Sequence, residues 1–368
     1  MTRDPMQTRL CDEYGCEIPL VGFAHTRDVV AAVTNAGGIG MYGVNALTPE
    51  EIRNDIHWIR ERVGDKPFGI DFLLSASYVE GTPEELMPRI PQGHWDFVDG
   101  VMAEHGIPEP KTPGPWGVKR VDLLRKARAK FDVLIEEQIP IFASGMGSPA
   151  FALELLHNAG IKVWGLIGLA RQAARELEQG LDLIVAQGQD SAGHTGRMGT
   201  FSLVPEVVEL AQAYDKPVLA AGGVTHGRHM AAALALGADG VWTGTIWQAT
   251  HESDTSMKKK QRLVEGRGQD AWISTAYDGK RVRAMRSRFQ EMWERDDAPE
   301  ILPMPLQGML VGKIETAIED HQLDDWLHVT AGQGLTFIEE VKPARQVVFD
   351  IADQARDALE RLGAYGDE

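Results

Sequence analysis

The chain is short of cysteine, of aromatic side chains and of positive charge, and it contains no long apolar run. Only two cysteines occur in 368 residues, Cys11 and Cys16. Their separation fits neither a CxxC redox pair nor a zinc knuckle, so both are expected to be ordinary packing or surface thiols. Lys and Arg number 37 against 54 Asp and Glu, a formal net charge of −17. A surface of that sign repels phosphate backbones and anionic lipid, so neither nucleic acid nor a membrane is expected as a partner. No segment approaches the roughly 18 to 20 apolar residues of a bilayer span. The start MTRDPMQTRL lacks the apolar centre of a signal peptide, and a cytoplasmic protein is the expectation. No repeat of solenoid period is evident either.

Glycine is what the chain has, 39 residues of it, much of it placed just after short apolar runs. The stretch LDLIVAQGQDSAGHTGRMG, Leu181 to Gly199, holds a buried-strand pattern at Leu183 to Ala186 followed by a loop that carries His194. A strand that ends in such a loop is where an α/β protein places its chemistry. The next stretch, KPVLAAGGVTHGRHMAAALALGADGVWTGT, runs strand, glycine turn, helix, strand, glycine. Gly222 and Gly223 let the backbone approach a ligand with no Cβ in the way, and Gly244 with Thr245 adds an N–H and a hydroxyl. The loops after the seventh and eighth strands of a barrel commonly form a phosphate site.

The same alternation runs through most of the chain. Apolar runs at 19–24, 39–43, 68–74, 139–143, 162–167, 183–186, 218–221 and 240–243 alternate with amphipathic segments, among them Thr26–Asn35, with Thr26 as a possible cap, and Thr48–Val63. Strands that read as continuous apolar runs separated by helices imply a parallel sheet, and eight of them are the count of a (β/α)8 TIM barrel. Residues 1–249 are therefore assigned to the barrel. The stretch 75–120 breaks the rhythm with the cluster IPEPKTPGP and two tryptophans, Trp95 and Trp116, and reads as an insertion after strand three. Residues 250–340 read as a helical subdomain over the pocket, with Arg281–Arg295 helical, and 341–368 as a C-terminal helix returning to the barrel.

Among titratable groups, His194 is the candidate acid or base, with His25 at the end of strand one as a competitor. His226 and His229 lack nearby Asp, Glu or Cys partners in sequence, and no metal is expected. A dehydrogenase of the inosine-phosphate type needs a nucleophilic cysteine after a barrel strand, whereas both cysteines precede strand one. A barrel that binds a phosphate ligand without catalysis is the third class.

The motifs AAVTNAGGIG, LDLIVAQGQDSAGHTG and PVLAAGGVTHGRHMAAALALGADGVWTGT, with DGKRVRAMRSRF and AGQG further on, together resemble the nitronate monooxygenase family, also called 2-nitropropane dioxygenases. That resemblance implies an FMN-dependent barrel. It puts the FMN phosphate on Gly222, Gly223, Gly244 and Thr245, backbone at Gly22 and Phe23 against the ring, Gln187 and Gly193 along the cofactor, and Gln333 near the ring. His194 matches the family's catalytic histidine. Asp71, also placed at the cofactor, stands where asparagine is expected in many relatives, and a carboxylate there would disfavour a reduced anionic flavin. The implied reaction is oxidation of a small nitronate or nitroalkane to a carbonyl compound and nitrite with O2. The alternative is an NAD(P)H-dependent flavin reductase acting on a quinone, an enone or an enoyl- or acyl-CoA intermediate. A homodimer is the base-rate expectation.

Overall fold

The computed structural model describes residues 4–74, 79, 81–114 and 127–363. Trp116 and the first residues expected in the helix before strand four lie outside that range. Eight parallel strands close into a barrel: β1 (Leu20–Ala24), β2 (Ile39–Gly43), β3 (Phe68–Asp71), β4 (Ile141–Ser144), β5 (Lys162–Ile167), β6 (Leu183–Gln187), β8 (Val218–Ala221) and β9 (Gly240–Thr243). Closure comes from β9 pairing with β1, Leu20 opposite Val241 and Gly22 opposite Thr243. This is the (β/α)8 architecture that the alternation predicts.

Because side chains alternate across a strand, each strand feeds two cores. Val21, Met41, Trp164, Val185, Leu219 and Trp242 point inward and fill the barrel. Leu20, Phe68, Ile70, Phe142, Ile184 and Val241 point outward into the layer beneath the helices. One end of the inner core is plugged by the N-terminal helix Arg9–Tyr14, which contributes Leu10, Cys11 and Tyr14. The Tyr14 ring meets Trp164 edge-on at 4.9 Å. Both cysteines are buried in this plug, where the Cys16 thiol donates to the Cys11 sulfur at 3.8 Å.

Local signals are realised unevenly. Thr48 forms a capping box with Glu51 at the start of the amphipathic helix. Thr26 does not cap the helix Arg27–Asn35; its hydroxyl donates instead to Asp254 Oδ1 at 2.6 Å. In the region after strand three, helix Gln92–Glu104 packs back on the molecule, its Phe97 ring 5.3 Å from Trp293.

The largest departure concerns residues 250–340. Helices are present there, Met257–Glu265 and Leu306–His321, but so is an antiparallel pair, β10 (Ala271–Ser274) and β11 (Val282–Met285). The segment expected to be one helix over Arg281–Arg295 is instead β11 followed by the short helix Arg288–Glu291. β11 also pairs with β7 (Gly193–His194), the two-residue strand inside the histidine loop. A third partner from another part of the chain decides the conformation of a charged segment whose own pattern is weak. The C-terminal helix Ala344–Gly363 lies against helix Gly227–Ala235, where Gln354 Oε1 accepts from the Gly227 N–H at 3.0 Å. Among the described residues no helix is long and apolar enough to cross a membrane.

Candidate active site

The strand ends opposite the plug surround a cavity of about 340 Å3, within the roughly 300–1,000 Å3 span of small-molecule sites. Phe23, Asp71, Gln187, Gly193, His194, Gly222, Gly223, Gly244 and Thr245 all line it. Strand alternation explains most of these positions. Val185 faces the barrel interior, so Gln187 two residues on does too. The same parity puts Phe23 inside with Val21 and turns Gly22 outward, where a Cβ would lie 2.9 Å from Val33 and 3.0 Å from Trp247. Gly22 is thus not part of the cavity wall. Gln333 is also elsewhere, in a neighbouring cavity of about 280 Å3 that shares the Gly222–Gly223 turn.

Contacts to both its backbone and its ring fix His194. Its backbone pairs with Val282 of β11, and its Nε2 lies 2.7 Å from Asp278 Oδ2. A carboxylate can only accept, so Nε2 carries the proton and Nδ1 keeps a lone pair. The imidazole is 28% exposed and the Asp278 side chain 11% exposed, so the carboxylate is shielded behind an imidazole that itself lines the cavity. Nearby, the Gln187 amide donates to the Ser191 hydroxyl and to the His194 carbonyl. Arg283, buried on β11, donates to the carbonyls of Gln189 and Ala271 and so ties the histidine loop to the strand pair. His25 lines the same cavity, but its Nδ1 donates to the Gly43 carbonyl at 2.8 Å and its ring meets Phe23 edge-on at 5.0 Å. Among the described residues no carboxylate orients it as Asp278 orients His194.

Beside the histidine loop lies a backbone cradle. Gly222 and Gly223 have φ of +105° and +74°, the left-handed region that favours glycine. A Cβ on Gly222 would lie 2.7 Å from Thr200 Oγ1. From the C-terminal side, Thr225 Oγ1 donates to the Gly334 carbonyl at 2.6 Å, and the Gly332 N–H donates to Thr245 Oγ1 at 3.0 Å. Gly334 approaches so closely that its Cβ would sit 2.3 Å from the Gly223 carbonyl. The segment 330–334 therefore braces the glycine turn. With glycine, valine and threonine in its two strand-end loops, this cradle suits a phosphate-bearing ligand.

Asp71 behaves differently from the carboxylate expected at its position. It is 3% exposed, and its Oδ2 has no hydrogen-bond partner among the described residues. Burial pushes its carboxyl up to about 8, so the group is a neutral acid at pH 7 and places no charge beside a ligand.

Several residues of the site escaped sequence reasoning. Asp278 lies 84 positions from His194, and its only local signal is the Asp-Gly turn between two short strands. Trp242 and Met146 also line the cavity, and Met146 sits at φ +63°, an uncommon conformation for a side-chain-bearing residue that clusters at functional sites. The helix-start histidines hold backbone instead: His226 Nδ1 accepts from the Arg228 N–H, and His229 Nδ1 from the Thr225 N–H. Among the described residues no cluster of three or more His, Cys, Asp or Glu side chains could hold a metal ion.

The chain is similar along nearly its whole length to known proteins. A monooxygenase-named protein of Mycobacterium tuberculosis is 37% identical over 97% of this chain and 98% of its own. A protein of Staphylococcus aureus named as a nitronate monooxygenase is 26% identical over 96% of this chain and 99% of its own. Among solved structures, FabK from Thermotoga maritima shares 29% identity and a TM-score of 0.75 over 97% of this chain and 99% of that one. The nitroalkane oxidase from Streptomyces ansochromogenes, at 24% identity and a TM-score of 0.79, covers 96% of this chain and 99% of its own, and shares the fold. The family profile described as nitronate monooxygenase matches residues 8–354, and the chain belongs to that family of flavin-dependent oxidoreductases.

Proposed function

We propose that the protein binds FMN across the open end of the barrel and oxidises a small nitronate, or its parent nitroalkane, to a carbonyl compound and nitrite with O2. The observation that carries this reading is that His194, held by Asp278, lines the same cavity as the Gly222–Gly223 cradle. Gly222, Gly223, Gly244 and Thr245 would hold the phosphate, and Phe23, Asp71, Gln187 and Gly193 would line the ring. FMN, when bound, supplies a two-electron acceptor that O2 reoxidises.

The chain's own contribution is proton handling. His194 Nδ1 takes the proton from the carbon that bears the nitro group. Asp278 holds Nε2–H, fixing the tautomer and stabilising the imidazolium that forms. Leu73, Met146 and Leu166 supply an apolar stretch of wall, which excludes water and accommodates a small alkyl chain. The test is nitrite release from propyl nitronate by protein whose released cofactor is identified as FMN. His194→Ala should lower turnover of a neutral nitroalkane by roughly 10²-fold or more. A flavin reduced by NADH or NADPH and inert to nitronate would move the protein to the reductase alternative.

A further inference from the structure

Asp71 combines three features that ordinary packing does not require. Its strand parity, shared with Gly69, whose Cβ would meet Met41 of the inner core, turns it into the barrel at the cavity. It is almost wholly buried there, yet among the described residues one carboxyl oxygen has no partner. Leaving a buried polar atom unsatisfied costs free energy, and a native structure keeps such an atom where something else completes its hydrogen bonding.

The neighbouring titratable groups are committed elsewhere. On the helix Ala127–Glu136, Lys130 Nζ donates to the carbonyls of Val44 and Asn45 at 2.9 and 3.0 Å. At the end of β1, His25 bonds to Gly43, the residue opposite Asp71 in the β2–β3 register. On β4, the partner strand on the other side, Ala143 stands opposite Asp71 and Ser144 Oγ donates to the Phe72 carbonyl. Elsewhere on the cavity wall His194 is held by Asp278, and Asp254 accepts from the Thr26 hydroxyl. Among the described residues no ion pair reaches the Asp71 carboxyl, and burial alone raises its affinity for the proton.

We propose that Asp71 acts as a neutral carboxylic acid that completes its hydrogen bonding on the ring of the bound flavin, donating O–H to a ring acceptor, so that loss of this proton weakens cofactor binding. The inference rests on the FMN reading above. A flavin's imide edge sets a carbonyl acceptor beside an N–H donor, and a neutral acid, with one donor and one acceptor, matches both. The ionised form is acceptor-only and would set an uncompensated buried charge against the ring carbonyl.

The experiment is FMN affinity against pH, followed by quenching of flavin fluorescence in the wild type and in Asp71→Asn, whose amide keeps one donor and one acceptor without a titrating proton. If bound FMN requires the protonated acid, the wild-type dissociation constant is level near neutral pH and rises about tenfold per pH unit above about 8. In Asp71→Asn it stays level. Lys130, also shifted to about 8 by burial, and the buried Glu176 behind β5, likewise raised to about 8, are present in both proteins, so only the difference between the two curves reports Asp71. As a second measurement that needs no variant, the infrared band of a protonated carboxyl in the wild type should shift when FMN is added at neutral pH. FMN binding with parallel pH curves, or a carboxyl band indifferent to FMN, overturns the inference alone. Failure of the wild type to bind FMN at any pH overturns the cofactor reading and this inference with it.

Discussion

The two ends of the barrel are made of opposite materials. At the plugged end Tyr14 and Trp164 meet edge-on, with Leu10 and both cysteines packed around them. At the open end the same eight strands finish in glycine, Gln187, Asp71 and the short strand that carries His194. The plugged end gains its free energy from shape and apolar area, so its residues are interchangeable within limits of volume. The open end spends stability on left-handed glycines, a buried acid and a loop tied by Arg283, and there single atoms decide the outcome. Stability and chemistry are thereby separated along one strand: Trp164 serves the core, and Leu166, two residues on, faces the cavity.

That separation can be broken by mutation. The largest expected effect is at the plugged end, where Trp164→Ala should cost about 3–5 kcal/mol of folding stability, measured by denaturant unfolding, while FMN affinity of the folded protein is unchanged. A comparable loss of affinity would show that the two ends are not independent. At the open end Gly334→Ala drives a methyl group against the Gly223 carbonyl. FMN affinity should fall by roughly 5- to 150-fold, the equivalent of about 1–3 kcal/mol of overpacking, with turnover of the flavin-loaded fraction retained. Asp278→Asn acts on turnover alone: with its Oδ1 still accepting from the Lys280 N–H, the amide NH2 faces Nε2, favours the wrong imidazole tautomer and no longer balances the imidazolium. A loss of roughly 10²-fold in turnover of a neutral nitroalkane is expected, with FMN affinity unaltered, and an unchanged rate would reduce Asp278 to a structural role.

The barrel was legible because its strands are buried on both faces and read as uninterrupted apolar runs, and because the glycine turns that follow them are local. The same locality exposed Gly222, Gly223, Gly244, Thr245 and His194. What could not be read depends on pairings across the chain. β11 is a strand only because β10 and β7 flank it, and Asp278 reaches His194 only through that three-stranded sheet. Gly22 is a different kind of case, since the resemblance names two neighbouring residues of β1 and only the parity of the strand decides that Phe23 rather than Gly22 lines the cavity. For Asp71 the residue was visible and its charge state was not, because burial sets that state and sequence does not show burial.

The most direct test of His194 as the base is anaerobic stopped-flow reduction of the flavin by a neutral nitroalkane and, separately, by its preformed nitronate. A nitronate has already lost the proton in question. His194→Ala should therefore lose reduction by the neutral nitroalkane, by roughly 10²-fold or more, while reduction by the nitronate stays near the wild-type rate. Equal losses with both donors, or no loss with either, would contradict the account.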